Sequence, residues 1–146
     1  MKNIVVNDDI KLIPYFQNEK ITLEWYQDSE LCKQVDGVNE PYTLEKLNRM
    51  YNFLNTNGEL YYIEYQGILV GDVTLRNNAE LCIVVCKEYQ NRHIGRKCIL
   101  KMVERAKEKG LQKVFAEIYP FNTQSIRMFE AIGFKKIDDE RYEYII

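Results

Sequence analysis

One strand–loop–helix–strand unit constrains the fold of this chain more than any other feature. An apolar run at residues 81–86 leads into the loop 90–96, and an amphipathic segment then extends over residues 94–109. Apolar residues in that segment recur at the spacing of one helix face. A further strand-like run occupies residues 113–118. Two strands joined through a helix in one sheet lie parallel with a right-handed crossover, so the unit predicts at least one parallel pair.

The remaining pattern adds hairpins and helices. Gln66-Gly67 and Asn77-Asn78 are typical of tight turns between antiparallel strands, and Asn122 is predicted to cap the last helix. The predicted elements are a strand at 10–15, helices at 19–35 and 43–54, strands at 60–65, 69–75 and 80–86, a helix at 94–109, a strand at 113–118, a helix at 122–132, and strands at 134–137 and 142–146. The predicted fold class is α/β, with a mixed, mostly antiparallel sheet between helices.

Length and composition limit the function classes. A chain of 146 residues predicts a single domain, residues 1–146, with a substantial core. The net charge of −2 argues against a general nucleic-acid-binding surface. No run approaches the length of a membrane span, and the N-terminal residues turn acidic, unlike a signal peptide. A cytoplasmic protein without membrane partners is therefore expected.

The cysteines support that expectation and argue against a metal site. Cys32, Cys82, Cys86 and Cys98 form no CxxC pair, and the chain has a single histidine. A four-ligand zinc centre is therefore not predicted. Reduced, mostly buried thiols are expected instead.

The loop before the long helix has the chemistry of an anion site. The first N–H groups of a helix have no internal partners and carry partial positive charge, so they can hold a phosphate. Arg92, Arg96 and Lys97 place further positive charge there, which opposes the helix dipole. An anionic ligand would relieve that conflict.

Two segments resemble the GCN5-related N-acetyltransferases. The family's phosphate loop reads Gln/Arg-x-x-Gly-x-Gly/Ala, and residues 90–95 read Gln-Asn-Arg-His-Ile-Gly, with His93 in place of a glycine. The family's segment Asn…Ala-Ile-x-Leu-Tyr…Gly-Phe is similar to Asn122, residues 125–129 and residues 132–134. The resemblance covers nearly the whole chain. Residues 25–28 are also similar to the first helix of enzymes that acetylate protein N-termini or small amines.

That resemblance implies acetyl-CoA as the cofactor and a sheet that splays between the fourth and fifth predicted strands. Pantetheine would pair with the backbone of the fourth strand, and the loop amides would bind the pyrophosphate. The cofactor-binding residues implied are Ile83, Val84, Val85, Asn91, Arg92, His93, Ile94, Gly95, Arg96 and Asn122.

The implied reaction is attack of a neutral amine on a thioester. Freeing the lone pair at pH 7 costs about 4.6 kcal/mol for a lysine amine and about 1 kcal/mol for a peptide N-terminus. Glu80 and Glu117 match positions where family members place a general base. Phe129 replaces the family's acid tyrosine, leaving Tyr119, Tyr89 or Tyr142 as substitutes.

The sequence leaves the acceptor open between small-molecule amines and protein N-termini. Dimers are common in the family, so a homodimer is one option. The main alternative function is a non-catalytic acyl-CoA-binding module, which His93 and Phe129 motivate. A dinucleotide-binding domain fits poorly, because the loop has one glycine and follows the fourth strand. Aromatic residues expected to line the acceptor site are Trp25, Tyr26, Tyr42, Tyr61, Tyr62 and Tyr144.

Overall fold

The computed structural model describes all 146 residues. Its elements follow the predicted order, with an extra short strand at the start and one helix divided in two. They are β1 (Ile4–Val5), β2 (Ile10–Pro14), α1 (Glu19–Trp25), α2 (Ser29–Asp36), α3 (Leu44–Thr56), β3 (Gly58–Tyr65), β4 (Ile68–Arg76), β5 (Leu81–Val85), α4 (Ile94–Glu108), β6 (Lys113–Glu117), α5 (Thr123–Ile132), β7 (Lys135–Lys136) and β8 (Arg141–Ile145). None of the helices combines the length and apolarity needed to cross a bilayer.

The strands form two sheets that meet at one point. Strands β1 to β5 pair antiparallel in chain order, and β6, β8 and β7 form a second antiparallel sheet. A single parallel bridge joins Glu80 to Phe115, where the Phe115 N–H donates to the Ala79 carbonyl at 3.1 Å. Beyond that bridge β5 and β6 separate. The predicted mixed fold, splayed between the fourth and fifth predicted strands, is confirmed.

The predicted helix over 19–35 is wrong as one element. The first helix ends at Trp25, and Asp28 begins a new one by accepting the Leu31 N–H at 3.0 Å through its side chain. An aspartate inside an apparently helical run can thus act as an N-cap, because it satisfies a free amide of the next helix. The divided helix turns back across the sheet and leaves Val35 and Asp36 facing the gap between β5 and β6.

Apolar residues fill both sides of the main sheet. One core cluster lies under α4 and α5 and includes Val73, Ile99, Met102 and Phe129. A smaller cluster under α1 to α3 is mostly aromatic. Along β5 the side chains alternate, with Leu81 and Ile83 in or against the first cluster and Val84 against the second. The fold therefore has three layers, with helices on both faces of a sheet that is open at its centre.

Ion pairs fasten the C-terminal end of α4 to β3. The side chain of Glu59 is 14% exposed and accepts from Arg105 at 3.0 and 3.1 Å and from Lys109 at 2.7 Å. Burial alone would raise the pKa of Glu59, but Arg105, Lys109 and Tyr61 more than offset it and hold the pKa at about 2. Because this value lies below that of an unfolded glutamate, about 4.3, the carboxylate stabilises the fold above that pH.

We expect Glu59→Gln to lower the free energy of unfolding at pH 7 by about 1–2 kcal/mol. The wild-type contribution should disappear as the pH falls from about 4.5 towards 2, so the two proteins should converge there. Urea unfolding at several pH values measures this. Glu64→Gln, on the same strand, is the control. An equal loss at pH 7 and pH 3 would contradict the ion-pair account.

Candidate functional site

The gap between β5 and β6 opens into a cavity of about 690 Å³. It extends from the start of α4 and α5, through the gap, to the face of the sheet covered by α2 and α3. Every predicted site residue except Arg92 lines it, including Glu80, Glu117 and Asn122. The structure therefore brings both predicted groups, the phosphate loop and the carboxylates, into one space.

The loop before α4 presents a row of free amides to this cavity. None of the N–H groups of residues 91–96 donates a hydrogen bond within the protein, and the first helical bond runs from the Lys97 N–H to the His93 carbonyl at 3.2 Å. Asn91 and His93 both have φ of 63°, so the chain alternates into the left-handed region on its way to the helix. Successive amides in such a conformation form a concave anion site at the positive end of a helix.

His93 is the helix N-cap, yet its side chain makes no capping hydrogen bond. Capping residues ordinarily satisfy one of the free amides. A histidine here leaves those amides available and adopts a positive φ that a glycine would adopt more easily. His93, which stands where the family has a glycine, therefore leaves these amides free.

Gly95 is where α4 comes closest to the walls of the cavity. A Cβ on this residue would lie 3.1 Å from Met128 Sδ, 3.6 Å from Ile83 Cδ1 and 3.7 Å from Val85 Cγ2. The neighbouring wall leaves no room for a longer side chain. Glycine is thus needed for close packing between the helix start, β5 and α5, not for its conformation.

Side chains at both ends of the loop hold it in place. Gln90 Nε2 donates to the Val85 carbonyl at 2.9 Å, and also to Gln34 Oε1 at 3.4 Å. The Arg92 guanidinium lies 4.8 Å from the centre of the Tyr89 ring, a cation–π contact that turns this side chain away from the cavity. Of the predicted loop residues, Arg92 therefore offers only its N–H group.

The free edge of β5 supplies main-chain groups along the gap. The Cys86 N–H donates to the Val70 carbonyl and the Arg76 N–H to the Glu80 carbonyl, both at 2.8 Å. Because the bonding direction alternates along an antiparallel strand, even-numbered residues of β5 face β4 and odd-numbered ones face the gap. Ile83 and Val85 thus have backbone groups in the gap. Val84, by contrast, directs its backbone groups towards β4, and only its side chain lines the cavity.

Asn122 lies on the other wall and begins α5. Its side chain accepts the Ser125 N–H at 3.3 Å, which confirms the predicted capping role. Phe129 is 3% exposed, lines the cavity and packs edge-on against Phe134, with the ring centres 4.9 Å apart. This position therefore contributes apolar surface and no proton.

The two predicted carboxylates differ in their surroundings. Glu80 Oε1 is bonded to Arg76 Nη1 at 2.6 Å, and its side chain is 15% exposed. Glu117 is 48% exposed, with Arg141 Nη1 at 3.8 Å as its only cationic partner. Burial and then the charge of Glu80 raise the pKa of Glu117, and Arg141 opposes that rise. Glu117 is therefore the more accessible of the two, and its pKa is raised.

A third carboxylate was missed by the sequence analysis. Asp72, in β4, is 3% exposed and lines the cavity. Its Oδ2 accepts hydrogen bonds from the hydroxyls of Tyr26 and Tyr51, each at 2.8 Å. Burial raises the pKa of Asp72 to about 6, and the two tyrosines limit the rise. The signal in the sequence was a lone aspartate inside an apolar strand.

Aromatic residues line the cavity only in part as predicted. Tyr26 and Tyr42 do line it, whereas Trp25, Tyr61, Tyr62 and Tyr144 do not. Those four belong to the core or pack against it. Among the tyrosines considered as acids, Tyr119 and Tyr89 line the cavity, while Tyr142 is buried in β8 away from it.

A family model identifies the chain independently. The model of the acetyltransferase (GNAT) family matches residues 21–134, which span the phosphate loop, β5, β6 and α5. The chain belongs to this family. Its cavity between the splayed strands is thus the cavity of a GNAT protein, and the matched residues include the loop with the free amides.

Individual relatives and structures agree with that membership. The chain is 25% identical over 97 residues to the ribosomal protein bS18 alanine N-acetyltransferase of Escherichia coli strain K12, a match of 66% of this chain and 62% of the relative's length. The structure resembles RimL, the ribosomal L7/L12 α-N-protein acetyltransferase, solved in complex with coenzyme A: the TM-score is 0.78 at 12% identity, over 99% of this chain and 98% of that one.

A second solved structure shares the fold at similar coverage. The spermidine N-acetyltransferase from Vibrio cholerae, in complex with CoA and spermine, has a TM-score of 0.75 at 16% identity, over 95% of this chain and 96% of that one. At these identities the likeness establishes the fold. The acceptor must be argued from this chain's own residues.

Proposed function

We propose that this GNAT protein is an acetyl-CoA-dependent N-acetyltransferase that acts on a primary amine. The observation that supports this most is the row of six unbonded amides at one end of the cavity, residues 91–96. Free N–H groups at a helix N-terminus carry partial positive charge, and a diphosphate can accept hydrogen bonds from several of them at once. Coenzyme A carries that group, and its presence in the RimL and spermidine acetyltransferase structures supports the choice.

The residues of the gap fit the rest of the cofactor. Backbone groups of Ile83 and Val85 would pair with the pantetheine amides, and Met128 and Phe129 would cover its apolar parts. Val85 has its carbonyl already bonded to Gln90, so its N–H is the group left to donate. When bound, acetyl-CoA supplies an acetyl group activated as a thioester. The protein positions the amine against it, which accounts for much of the expected rate.

Glu117 is the general base in this proposal. A base must reach the ammonium and be ionised at working pH, and Glu117 is accessible, with a pKa raised but still that of a carboxyl group. Glu80 is held by Arg76 and acts on Glu117 through its charge. Proton return to the thiolate falls to water or to Tyr119, since a thiol pKa near 8.5 requires little assistance.

Free-thiol release tests this function. The protein is incubated with acetyl-CoA and a panel of primary amines, peptides with free N-termini included, and thiol is measured with time. We expect amine-dependent release by at least one member of the panel. Stabilisation of the protein by acetyl-CoA without release would instead favour a non-catalytic acyl-CoA-binding module. If acetyl-CoA neither stabilises the protein nor releases thiol, both functions are overturned.

Residues 1–146 are proposed to act as one N-acetyltransferase domain in a reducing compartment such as the cytoplasm. All four cysteines are unpaired, and burial raises the pKa of the Cys98 thiol to about 12, which makes it unreactive. Free buried thiols are typical of reducing compartments.

A further inference from the structure

The end of the cavity away from the phosphate loop is lined by carboxylates. They come from five separate parts of the fold: Asp36, Asp72, Glu80, Glu117 and Glu140. The basic residues that line the cavity are His93, Arg96 and Arg127, and all three lie with the phosphate loop or α5. The cavity is therefore polarised, with positive groups where the diphosphate would bind and negative groups at the acceptor end.

Several of these carboxylates act on the same neighbouring groups. Burial, Asp36 and also Asp72 raise the pKa of Tyr42, so both carboxylates act on one hydroxyl. Burial raises the pKa of Cys82 to about 12, and Glu80 and Asp72 both add to the rise. Burial, Glu80 and Glu140 all raise the pKa of Glu117, against Arg141. Tyr42 and Cys82 thus link the deep carboxylates to those near the proposed base.

Asp72 and the exposed Glu140 are the two carboxylates of this group that form no ion pair. Asp36 is paired with Lys46 at 2.8 Å and Glu80 with Arg76 at 2.6 Å. Asp72 has no cation near it. Its Oδ2 receives two tyrosine hydroxyls, whereas its Oδ1 accepts no hydrogen bond and is not among the fully enclosed unbonded atoms. Oδ1 is therefore the oxygen of Asp72 that is left to accept a further hydrogen bond.

The space between Asp72 and Glu80, whose charge acts on the proposed base Glu117, suits an aliphatic chain. Leu31 and Val35 of α2 and Met50 and Leu54 of α3 line the cavity here. Asp72 pairs with Val84 across the sheet, and Glu80 lies opposite Arg76, four positions further along β4. Four residues of strand span roughly 13 Å along the backbone. The geometry separates two negative sites by an apolar wall.

We propose that the acceptor is a small aliphatic diamine, acetylated at the amine near Glu117 and held by its second ammonium at Asp72. This inference rests on the proposed function and names its substrate class. A second ammonium supplies the cation that Asp72 lacks, and the apolar wall packs against the methylene chain. A protein N-terminus carries one charge and leaves Asp72 unpaired.

A matched pair of acceptors tests this. Steady-state kinetics compare α,ω-diamines of three to seven carbons with the monoamine of equal length, at saturating acetyl-CoA. We expect kcat/KM for the best diamine to exceed that of its monoamine by at least 30-fold. The preference should appear in KM and show an optimum in chain length. Equal values for diamine and monoamine, or a free peptide N-terminus as the best acceptor, would overturn the proposal while leaving the acetyltransferase function intact.

The Asp72→Asn variant tests whether Asp72 causes the preference for diamines over monoamines. Asparagine has nearly the same shape and can accept both tyrosine hydroxyls, but it has no charge. The ratio of kcat/KM for diamine over monoamine should fall to within about threefold of one. Glu104→Gln, which removes a carboxylate outside the cavity, should leave the ratio unchanged.

Calorimetry gives a readout besides turnover. With coenzyme A present, the diamine should bind wild-type protein at least tenfold more tightly than Asp72→Asn. Circular dichroism and coenzyme A binding establish that the variant is folded. If Asp72→Asn does not fold, Asp72→Glu is used: it keeps the charge and should keep the preference, with the optimum displaced towards shorter diamines. A folded variant that retains the wild-type ratio and optimum would overturn the role of Asp72.

Discussion

Gly95→Glu is expected to weaken acetyl-CoA binding by at least 100-fold, which corresponds to about 2.7 kcal/mol. A Cβ at this position would already lie 3.1 Å from Met128 Sδ, so a longer side chain must displace the wall of the gap or enter it. Its carboxylate would then lie beside the amides proposed to hold the diphosphate, and like charges repel. Isothermal titration calorimetry with acetyl-CoA measures the loss.

Two further variants separate bulk from charge. Gly95→Ala adds only the methyl group, and because the Met128 sulfur ends a flexible side chain, we expect a loss below tenfold. Leu100→Glu adds the same charge to an exposed position of α4 outside the main cavity and should change affinity less than twofold. Wild-type affinity in folded Gly95→Glu would place the diphosphate elsewhere.

Glu117→Gln is expected to lower kcat about 100-fold while leaving the Kd of acetyl-CoA unchanged. The amide is similar in size but cannot take the proton from the acceptor's ammonium, which must become a neutral amine before it attacks, and general base catalysis contributes about 10²–10⁴-fold. Glu80→Gln is the comparison, because it removes the other carboxylate at the same end. It removes the charge that pairs with Arg76, so its main effect should be a lower Tm, with kcat reduced less than tenfold.

The pH profile provides an independent check on the same residue. Since burial and Glu80 raise the pKa of Glu117, the acid limb of kcat/KM should lie above the ordinary glutamate value, and activity should fall as the pH decreases through it. Glu117→Gln should lose this limb. If Glu80→Gln removes the limb and Glu117→Gln keeps it, the two roles must be exchanged.

The phosphate loop was predictable because its chemistry is local. A strand, a short loop and a helix start follow one another in the sequence, and the free amides are a property of any helix N-terminus. The order of elements was predictable for the same reason. The break in the first predicted helix was not, since Asp28 is compatible both with a helical run and with a cap, and only packing of α2 across the gap decides between them.

Features that depend on strand pairing could not be read from the sequence. Val84 and its neighbours have similar side chains, and only the register with β4 determines which backbone groups face the gap. Asp72 was missed because its partners, Tyr26 and Tyr51, lie 46 and 21 residues away. A lone aspartate in an apolar strand requires such partners, but the sequence does not identify them.

The central claim is that the amides before α4 hold the diphosphate of coenzyme A. A two-dimensional ¹⁵N–¹H NMR titration of the protein with coenzyme A observes those amides one by one. We predict that the largest downfield proton shifts fall on residues 91–96, because each of these N–H groups gains a charged acceptor. If the titration saturates and only amides in other parts of the chain change their chemical shifts, while those of residues 91–96 stay the same, the claim is contradicted.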